Sequence, residues 1–254
     1  MRKIDINSDL GESYGHYNIG EVDGILNCIS SVNIACGYHA GDHNVMDETV
    51  IKAKKYGVSI GAHPGFNDLF GFGRRLLPSS SKEIYNMIIY QIGALNSFCM
   101  INDVKMNHVK PHGALYNFAS VNRETAKAIA DAVHDFNSDL ILYGLCGSLL
   151  IEEAEKKGIK TANEVFADRN YMDDGTLTPR SMKNAMITDE KQAIERVLKM
   201  ILDKQVLSIN NKVISIKPDT VCIHGDSSNA LLFAESLKKE LIKNKIEIKP
   251  PYLD

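Results

Sequence analysis

The sequence lacks the cysteine patterns that mark disulfide frameworks and thiolate metal sites. Its 254 residues include only five cysteines, which are scattered and never spaced as Cys-x-x-Cys. These are Cys28, Cys36, Cys99, Cys146 and Cys222. An odd number without motif spacing argues against a disulfide-stapled fold. We therefore expect reduced, mostly buried thiols, as in a cytoplasmic protein.

The sequence also has no long block of like charge and no long apolar stretch. The 29 Lys and Arg nearly balance the 32 Asp and Glu, and no block of like charge forms a tail, so a nucleic-acid surface is not expected. The longest apolar stretch, 140–151, is interrupted by Gly144 and Gly147 and is shorter than the roughly 20 residues that span a bilayer. The N-terminus has no apolar signal-peptide region. We expect a cytoplasmic protein that binds neither nucleic acid nor membrane.

The overall composition is close to that of an average globular protein. Hydrophobic residues make up 44% of the chain and charged residues 24%, which excludes collagen-like, disordered and low-complexity classes. A chain of 254 residues also suits one α/β barrel, since such barrels run to about 200–250 residues as a single domain. No repeat or linker divides the sequence, and we predict one domain over residues 1–254.

Short β-branched runs alternate with segments of helical period along the chain. The strand candidates are 3–7, 32–36, 58–62, 105–109, 140–143, 161–166 and 220–223. The helical patterns are 44–56, 81–100, 123–136, 148–157, 190–204 and 229–243. Such alternation predicts βα units around a parallel sheet. One segment differs, because two apolar stretches flank Asn210 and Asn211; Asn tolerates the positive φ of a tight turn, so we predict a β-hairpin within 205–217.

Polar and titratable residues follow one strand candidate after another. Parallel strands joined by right-handed crossovers bring their C-terminal ends to one face. The residues expected there are Asp9, Glu12, His39, Asp42, His63, Lys110, His112, Asp168, Arg169, His224 and Asp226. A single histidine near a strand is more often a hydrogen-bonded core residue than a ligand, but histidines from four strands indicate a site. His108 shares the spacing of Lys110 and His112, and its role is left undecided.

This mixture of carboxylates and imidazoles suits two kinds of chemistry. It can supply general acids and bases, or it can bind a divalent metal ion, for which Asp9, His39 and His63 would be the ligands. No compact zinc motif such as His-Glu-x-x-His is present. The sequence therefore leaves a functional zinc ion open.

Two further stretches could bind an anion. The segment Gly71-Phe72-Gly73-Arg74-Arg75 offers backbone N–H groups and guanidinium groups, although a solvated arginine pair is the alternative. Beyond the sixth strand, Arg169 or Arg180 could bind a substrate carboxylate while Tyr171 donates a hydrogen bond, although an intrachain ion pair is equally simple. Neither a P-loop nor a Gly-x-Gly-x-x-Gly fingerprint occurs, so a nucleotide would be held by other means.

Seven sequence blocks span nearly the whole chain in order. The blocks are Asn7-Ser8-Asp9-Leu10-Gly11-Glu12-Ser13, Asn33-Ile34-Ala35-Cys36-Gly37-Tyr38-His39-Ala40-Gly41-Asp42, Gly61-Ala62-His63-Pro64-Gly65, Gly71-Phe72-Gly73-Arg74-Arg75, Val109-Lys110-Pro111-His112-Gly113-Ala114-Leu115-Tyr116, Phe166-Ala167-Asp168-Arg169 and His224-Gly225-Asp226. Taken together, they resemble the LamB/YcsF family, the A subunit of ATP-dependent 5-oxoprolinase. The resemblance implies a parallel (β/α) barrel of the glycoside hydrolase and deacetylase type, often incomplete at seven strands.

The resemblance also implies an activity. Members open the lactam of 5-oxoproline to L-glutamate with hydrolysis of ATP to ADP and phosphate, ATP being a co-substrate with Mg²⁺, and they work with B and C subunits. Two alternatives stay open at this point. One is a metal-dependent carbohydrate deacetylase, and the other is a non-catalytic subunit that binds 5-oxoproline or scaffolds its partners.

For the implied reaction we expect three groups of side chains. The cations that would stabilise a transferring phosphoryl group are Lys110, Arg74 and Arg75. The groups that would position and deprotonate water are Asp9, Glu12 and one of His39 or His63. The acid that would protonate the leaving nitrogen is His112 or His224.

Overall fold

Ten strands and eight helices make up the part of the chain that the structure describes. The computed structural model describes residues 2–19, 22–224 and 230–252, and His224 by its backbone alone. The strands are β1 Arg2–Leu10, β2 Ser31–Ala35, β3 Ser59–His63, β4 Met106–Val109, β5 Ile141–Leu145, β6 Lys160–Phe166, β7 Gln205–Leu207, β8 Val213–Ser215, β9 Thr220–His224 and β10 Ile246–Ile248. The helices are α1 Val22–Leu26, α2 His43–Tyr56, α3 Ser81–Ile101, α4 Gly113–Val121, α5 Arg123–Phe136, α6 Leu149–Lys156, α7 Glu190–Asp203 and α8 Ala230–Lys243.

Seven of the strands form a closed parallel barrel. The neighbour order is β1-β2-β3-β4-β5-β6-β9, and β9 pairs in turn with β1. Strand β10 extends the sheet beside the first residues of β1, before β2 begins to pair at Asn7. The predicted seven-stranded parallel barrel is confirmed. It has one strand fewer than the eight of a TIM barrel, yet strand pairing around the ring is continuous.

The observed strands match the predicted ones with one informative exception. Six agree within two residues at each end, but β1 continues to Leu10, beyond its predicted end at Asn7. The apolar pattern stops at Asn7, whereas pairing with β2 and β9 continues until Gly11 turns the chain at φ 70°. Asp9 therefore lies within the strand rather than in the loop after it. The short helices α1 and α4 were not predicted.

The hairpin segment forms an antiparallel pair outside the barrel. Val206 of β7 pairs with Ile214 of β8. In the turn, Asn211 adopts a φ of 62°, the left-handed conformation that asparagine tolerates better than most residues. Ser208 fixes the turn by donating a hydrogen bond to Asp173.

The apolar core lies between the barrel and its surrounding helices. Successive strand residues face opposite sides of the sheet, so that in β1 Ile4 and Ile6 join the main apolar cluster while Asp5, Asn7 and Asp9 face the interior. Barrel interiors of this type are usually filled by branched apolar side chains. Here the separate interior apolar cluster is small, consisting of Ile141, Tyr143 and Ala162. Most of the interior is polar.

Helix α3 illustrates how the outer layer is built. Ser80 caps its N-terminus and forms a capping box with Glu83. Its buried side chains recur at helical spacing on one face: Ile84, Ile88, Gln91, Ile92, Leu95 and Cys99. Among the described helices, α3 alone has the length and hydropathy to cross a membrane. The core helix of a soluble protein passes the same test.

The lowest polar level of the interior is built around Asp5. Its carboxylate accepts hydrogen bonds from Ser30, Ser31 and Thr220 at 2.6–2.7 Å and from Tyr143 at 3.1 Å. Burial raises the pKa of Asp5, while these hydroxyl donors oppose that rise. Four donors from separate strands and loops thus replace the water that the carboxyl group loses on burial.

The next polar layer of the interior contains His108 and Asn33, and the position of His108 depends on Gly61. The Nε2–H of His108 donates to the Asn33 side-chain oxygen at 2.8 Å, and the ring stacks on Tyr143. Burial lowers the pKa of His108 to about 3, so the ring is neutral. A Cβ on Gly61 would lie only 2.1 Å from His108 Nε2. Any side chain at position 61 would displace this ring.

We predict that Gly61→Ala destabilises the barrel because the new methyl group overlaps His108. Overpacking of a rigid interior costs about 1–3 kcal/mol of unfolding free energy. The matched control is Gly93→Ala in α3, where the nearest atom would be 4.0 Å away and helix propensity favours alanine by up to about 1 kcal/mol. Urea denaturation of both variants measures the effect. Equal stability of the two variants would contradict the prediction.

Candidate functional site

A cavity of about 640 Å³ opens at the C-terminal ends of the barrel strands. Its polar lining comes from β1 and β3, from the loops that follow β1, β3 and β4, from α4, and from the segment after β6. The residues are Asp9, Glu12, His63, Arg74, Lys110, His112, Tyr116, Arg169 and Arg180. All of these residues except Tyr116 were predicted as site residues, and the strand ends bring them together as expected.

Lys110 lies at the bottom of the cavity with its ammonium group buried. Nζ is 2.9 Å from Asp9 Oδ1, 2.8 Å from Glu164 Oε1 and 3.1 Å from both Asn7 Oδ1 and Cys222 Sγ. Burial alone would lower the pKa of Lys110, but the charges of Asp9 and Glu164 raise it well above its ordinary value. Lys110 is therefore a permanent cation between two carboxylates.

Two buried asparagines, Asn7 and Asn33, fix the orientation of Asp9. The Asn33 side-chain amide donates to Asp9 Oδ1 at 2.8 Å and to Asn7 Oδ1 at 2.7 Å. Asn7 in turn donates to Glu164 at 2.9 Å. Asp9 Oδ1 thus receives Lys110 and Asn33, whereas Asp9 Oδ2 lies 3.3 Å from His63 Nε2. One carboxylate oxygen is held by the interior, and the other is directed to the site.

Backbone carbonyls determine which nitrogens of His63 and His112 carry hydrogen. The Nδ1–H of His63 donates to the Lys110 carbonyl at 2.7 Å, and the Nε2–H of His112 donates to the Phe72 carbonyl at 2.9 Å. A carbonyl can only accept a hydrogen bond. In the neutral rings, the lone pairs therefore lie on His63 Nε2 and His112 Nδ1, which face one another at 2.9 Å.

Glu12 and His39 complete the group of histidines. Glu12 Oε1 is 3.3 Å from His39 Nε2 and 3.6 Å from His112 Nδ1. The His39 ring stacks on His112 with a centroid separation of 3.7 Å and an angle of 1°, so that it lies behind the cavity lining. Burial, followed by the neighbouring histidines, lowers the pKa values of His39 and His112 well below the ordinary range. Both rings are neutral at neutral pH.

Four side chains are grouped closely enough to hold a metal ion, and they differ from the predicted ligands, which were Asp9, His39 and His63. One potential ligand atom from each of Glu12, His39, His63 and His112 lies within 4.8 Å of the others. Asp9, which we expected among the ligands, is not in this group, although its Oδ2 lies 3.3 Å from His63 Nε2.

Two glycines allow the histidines to pack this closely. A Cβ on Gly73, which has a φ of 62°, would lie 2.7 Å from His39 Cβ and 2.8 Å from His112 Cδ2. A Cβ on Gly65 would lie 2.7 Å from His39 Nδ1. The glycines that follow Pro64 and Phe72 in the sequence thus leave room for the rings.

Guanidinium groups form a cationic part of the same cavity. Arg169 is buried and donates through Nη2 to the Thr178 carbonyl at 2.7 Å, while its Nε makes no hydrogen bond to any residue the structure describes. Burial, and then the neighbouring Arg180 charge, lower the pKa of Arg169 to about 10, so it remains charged at neutral pH. Arg74 lies over the Phe72 ring at 4.9 Å. The lining can therefore pair with an anion.

Other predicted site residues do not line the cavity, each for a structural reason. Asp42 caps α2 and accepts from the backbone N–H groups of Asn44, Val45 and Gly15. Arg75 points away to pair with Asp68. Tyr171 is buried, and its hydroxyl accepts from the Phe166 N–H at 3.0 Å. Asp168 lies beside Arg169 but outside the lining. The His224 side chain and Asp226 lie outside the described residues.

The residues that sequence reasoning missed lie in the strands themselves. Glu164, Asn7 and Asn33 are fully buried and contact Lys110 or Asp9. The available signal was the spacing of Asp5, Asn7 and Asp9 by two, which places all three on one face of a strand.

Comparison with known proteins gives a consistent result over nearly the whole chain. Residues 4–253 match the LamB/YcsF family. The 5-oxoprolinase A subunit of Staphylococcus epidermidis is 56% identical over 246 residues, covering 97% of this chain and 98% of its own. The crystal structure of a lactam utilization protein from Thermus thermophilus aligns with a TM-score of 0.92 at 43% identity, covering 97% of this chain and 99% of that one.

A more distant structural neighbour bears on the fold type alone. The structure titled T48 deacetylase with substrate aligns with a TM-score of 0.50 at 12% identity, covering 98% of this chain and 88% of that one. The shared barrel agrees with the predicted deacetylase-type fold. At this identity the likeness carries no information about substrate or chemistry.

We predict that Lys110→Met strongly destabilises the protein, because it leaves Asp9 and Glu164 buried without their cation. Removing one partner of a buried ion pair costs about 3–5 kcal/mol of unfolding free energy. The raised pKa of Lys110 means that its stabilisation is present throughout the neutral range and is lost only as the pH rises through that pKa. Urea denaturation at pH 7 measures the loss.

Two companion variants make this measurement specific. The double variant Lys110→Met/Glu164→Gln should recover part of the stability, since it removes one of the two carboxylate charges that the loss of Lys110 leaves uncompensated. Lys156→Met, at a solvent-exposed pair with Glu152, should change stability little. A loss in Lys110→Met no larger than in Lys156→Met would show that the buried pair is not important for stability.

Proposed function

The chain belongs to the LamB/YcsF family, and from this membership and the geometry of the cavity we propose that it is the A subunit of an ATP-dependent 5-oxoprolinase. Its class of reaction is hydrolysis of a cyclic amide, in which the lactam of 5-oxoproline opens to L-glutamate. The full-length match to a relative of that name supports the assignment. The proposal places it in the cytoplasm, working with B and C subunits.

One observation carries the proposal: an acid-base group and a cationic group line the same cavity. Asp9 and His63 belong to the first, and Arg169 and Arg180 to the second. 5-Oxoproline carries a carboxylate on one side of its ring and the lactam carbonyl on the other. Guanidinium groups pair well with carboxylates, so Arg169 and Arg180 bind the substrate carboxylate, and the lactam lies at Asp9 and His63.

Apolar side chains complete the lining for a small ring. Leu145, Phe166 and Leu177 line the cavity between its polar groups. A lining of apolar surface with a few placed polar groups is typical of small-molecule sites. The methylene groups of the ring contact this surface, while its polar atoms are bound at the two groups described above.

ATP is needed because an amide resists hydrolysis. Transfer of the γ-phosphoryl group to the lactam oxygen releases ADP and forms an imidate-like phosphate. Water then adds to the same carbon, and protonation of the nitrogen breaks the C–N bond, which opens the ring and leaves an acyl phosphate. A second water hydrolyses the acyl phosphate to the side-chain carboxylate of L-glutamate and free phosphate. Asp9 accepts the proton from water and returns it to the leaving nitrogen. His112, which the sequence offered as this acid, is neutral and donates its one N–H to the Phe72 carbonyl. Arg74 neutralises the phosphate. Lys110 holds Asp9 ionised and oriented.

The first experiment measures glutamate released from 5-oxoproline with Mg²⁺ and ATP, using the chain alone and mixed with B and C subunits. Activity is expected in the mixture. Asp9→Asn should lower kcat by about 100-fold or more, the contribution of a general base. Asp139→Asn, at an exposed position, should have no effect and serves as the control.

Other outcomes of this experiment would contradict the assignment in different ways. If Asp9→Asn stayed within threefold of wild type, the chain would bind substrate without supplying the base. If no mixture released glutamate while the chain deacetylated acetylated sugars in a metal-dependent reaction, the deacetylase alternative would replace the proposed function.

We predict that Arg169→Met raises KM for 5-oxoproline by about 10-fold or more, with a smaller change in kcat. The estimate follows from losing a charge-assisted hydrogen bond of about 1.5–3 kcal/mol, and a KM effect indicates binding present in both ground and transition states. Arg169→Lys should restore part of the affinity. Arg123→Met on the exposed face of α5 is the control. An unchanged KM would place the carboxylate elsewhere.

A further inference from the structure

The closest approach among the histidines poses an electrostatic problem. In their neutral forms, His63 Nε2 and His112 Nδ1 direct lone pairs at each other across 2.9 Å, because carbonyl acceptors hold the hydrogens on the opposite nitrogens. Two facing lone pairs repel, so a positively charged species must lie beside both nitrogens. We propose that Glu12, His63 and His112 bind one divalent cation of the zinc type, with a coordination position open to the cavity.

The distances between the donor atoms suit a small tetrahedral ion. Zinc bonds of about 2.0–2.1 Å in tetrahedral geometry place neighbouring ligand atoms about 3.3 Å apart. His63 Nε2 lies 2.9 Å from His112 Nδ1, which lies 3.6 Å from Glu12 Oε1. Small rotations of these side chains would reach the expected spacing. Two imidazoles with one carboxylate favour zinc over magnesium or calcium, which prefer oxygen ligands.

The surroundings of the two histidines support the same assignment. Histidines that bind metals usually donate their second N–H to a carbonyl or carboxylate, which fixes the ring. His63 does so to the Lys110 carbonyl and His112 to the Phe72 carbonyl. The site therefore contains its orienting hydrogen bonds as well as its ligands.

His39 belongs to the cluster but is not a ligand in this proposal. A ligating nitrogen directs its lone pair within the plane of its ring. His39 and His112 are parallel within 1° at 3.7 Å, so the planes of both rings cannot contain the same ion. His39 instead contacts Glu12 at 3.3 Å and supports that carboxylate. Three protein ligands and an open position are typical of catalytic rather than structural zinc sites.

The test uses the full chain without partners or substrate. After treatment with a chelator and dialysis, the protein is incubated with ZnCl2 or MgCl2, dialysed again and analysed by inductively coupled plasma mass spectrometry. We expect one zinc ion per chain and no retained magnesium. Co²⁺ should give the visible absorption of a tetrahedral site. Wild-type protein should also unfold at a higher temperature with Zn²⁺, since a ligand bound to the folded state stabilises it.

Variants distinguish ligands from neighbours. His63→Ala, His112→Ala and Glu12→Gln should each weaken zinc binding by more than about 100-fold, beyond the roughly 10- to 100-fold effect of outer contacts. His39→Asn should retain one ion per chain, and His134→Ala on α5 should match wild type. Circular dichroism identifies any variant that fails to fold, in which case His63→Gln and His112→Gln replace the alanine variants.

Two results would overturn the proposal. Absence of stoichiometric zinc in the wild-type chain would show that no metal ion lies between the two rings. Loss of binding in His39→Asn as severe as in His63→Ala would contradict the three-ligand assignment. Both readouts are independent of turnover, so the proposal and the 5-oxoprolinase assignment can fail separately.

Discussion

The ammonium group of Lys110 lies inside the barrel with carboxylates of Asp9 and Glu164 at 2.9 and 2.8 Å. Taking such charges out of water costs several kcal/mol for each ion, and only close pairing with further hydrogen bonds offsets that cost. Asn7 and Asn33 provide those bonds. The interior of the barrel therefore has to be polar, because an apolar filling would leave the ion pair unsatisfied.

This constraint also sets the geometry of the cavity. Lys110 and Asn33 bind one oxygen of Asp9 and leave the other beside His63. The backbone carbonyl of Lys110 holds the His63 ring through Nδ1. One residue thus orients a carboxylate through its side chain and an imidazole through its main chain. The acid-base group is preorganised by strands rather than by mobile loops, which is the arrangement that gives the greatest precision.

Much of this architecture could be predicted from local patterns. The alternation of strand and helix periods indicated seven βα units around a parallel sheet, and the polar strand ends indicated Asp9, His63, Lys110 and His112. Both depend on short-range regularities of the chain. The fold type and the family followed from blocks of sequence that are individually weak and jointly specific.

The site residues that could not be predicted are those whose role depends on the direction in which the side chain points. Glu164 lies in β6, and the sequence alone does not show that its side chain faces the interior of the barrel. Arg74 and Arg75 are adjacent and look equivalent, yet one lines the cavity and the other pairs with Asp68. Glu12 lies in the loop after β1, and a periodic sequence pattern does not predict the conformation of that loop. These outcomes are set by long-range packing.

The closure of β9 onto β1 has a consequence for how the chain is made. Asp5 and Asn7 each bond to Thr220, across 215 and 213 residues of sequence. Contacts of such high sequence separation form slowly. During synthesis, the N-terminal strands leave the ribosome with their interior polar groups still open to water, and those groups gain their partners only after the last barrel strand emerges. Completion of the nascent barrel therefore waits for β9, the last strand of the ring to be synthesised.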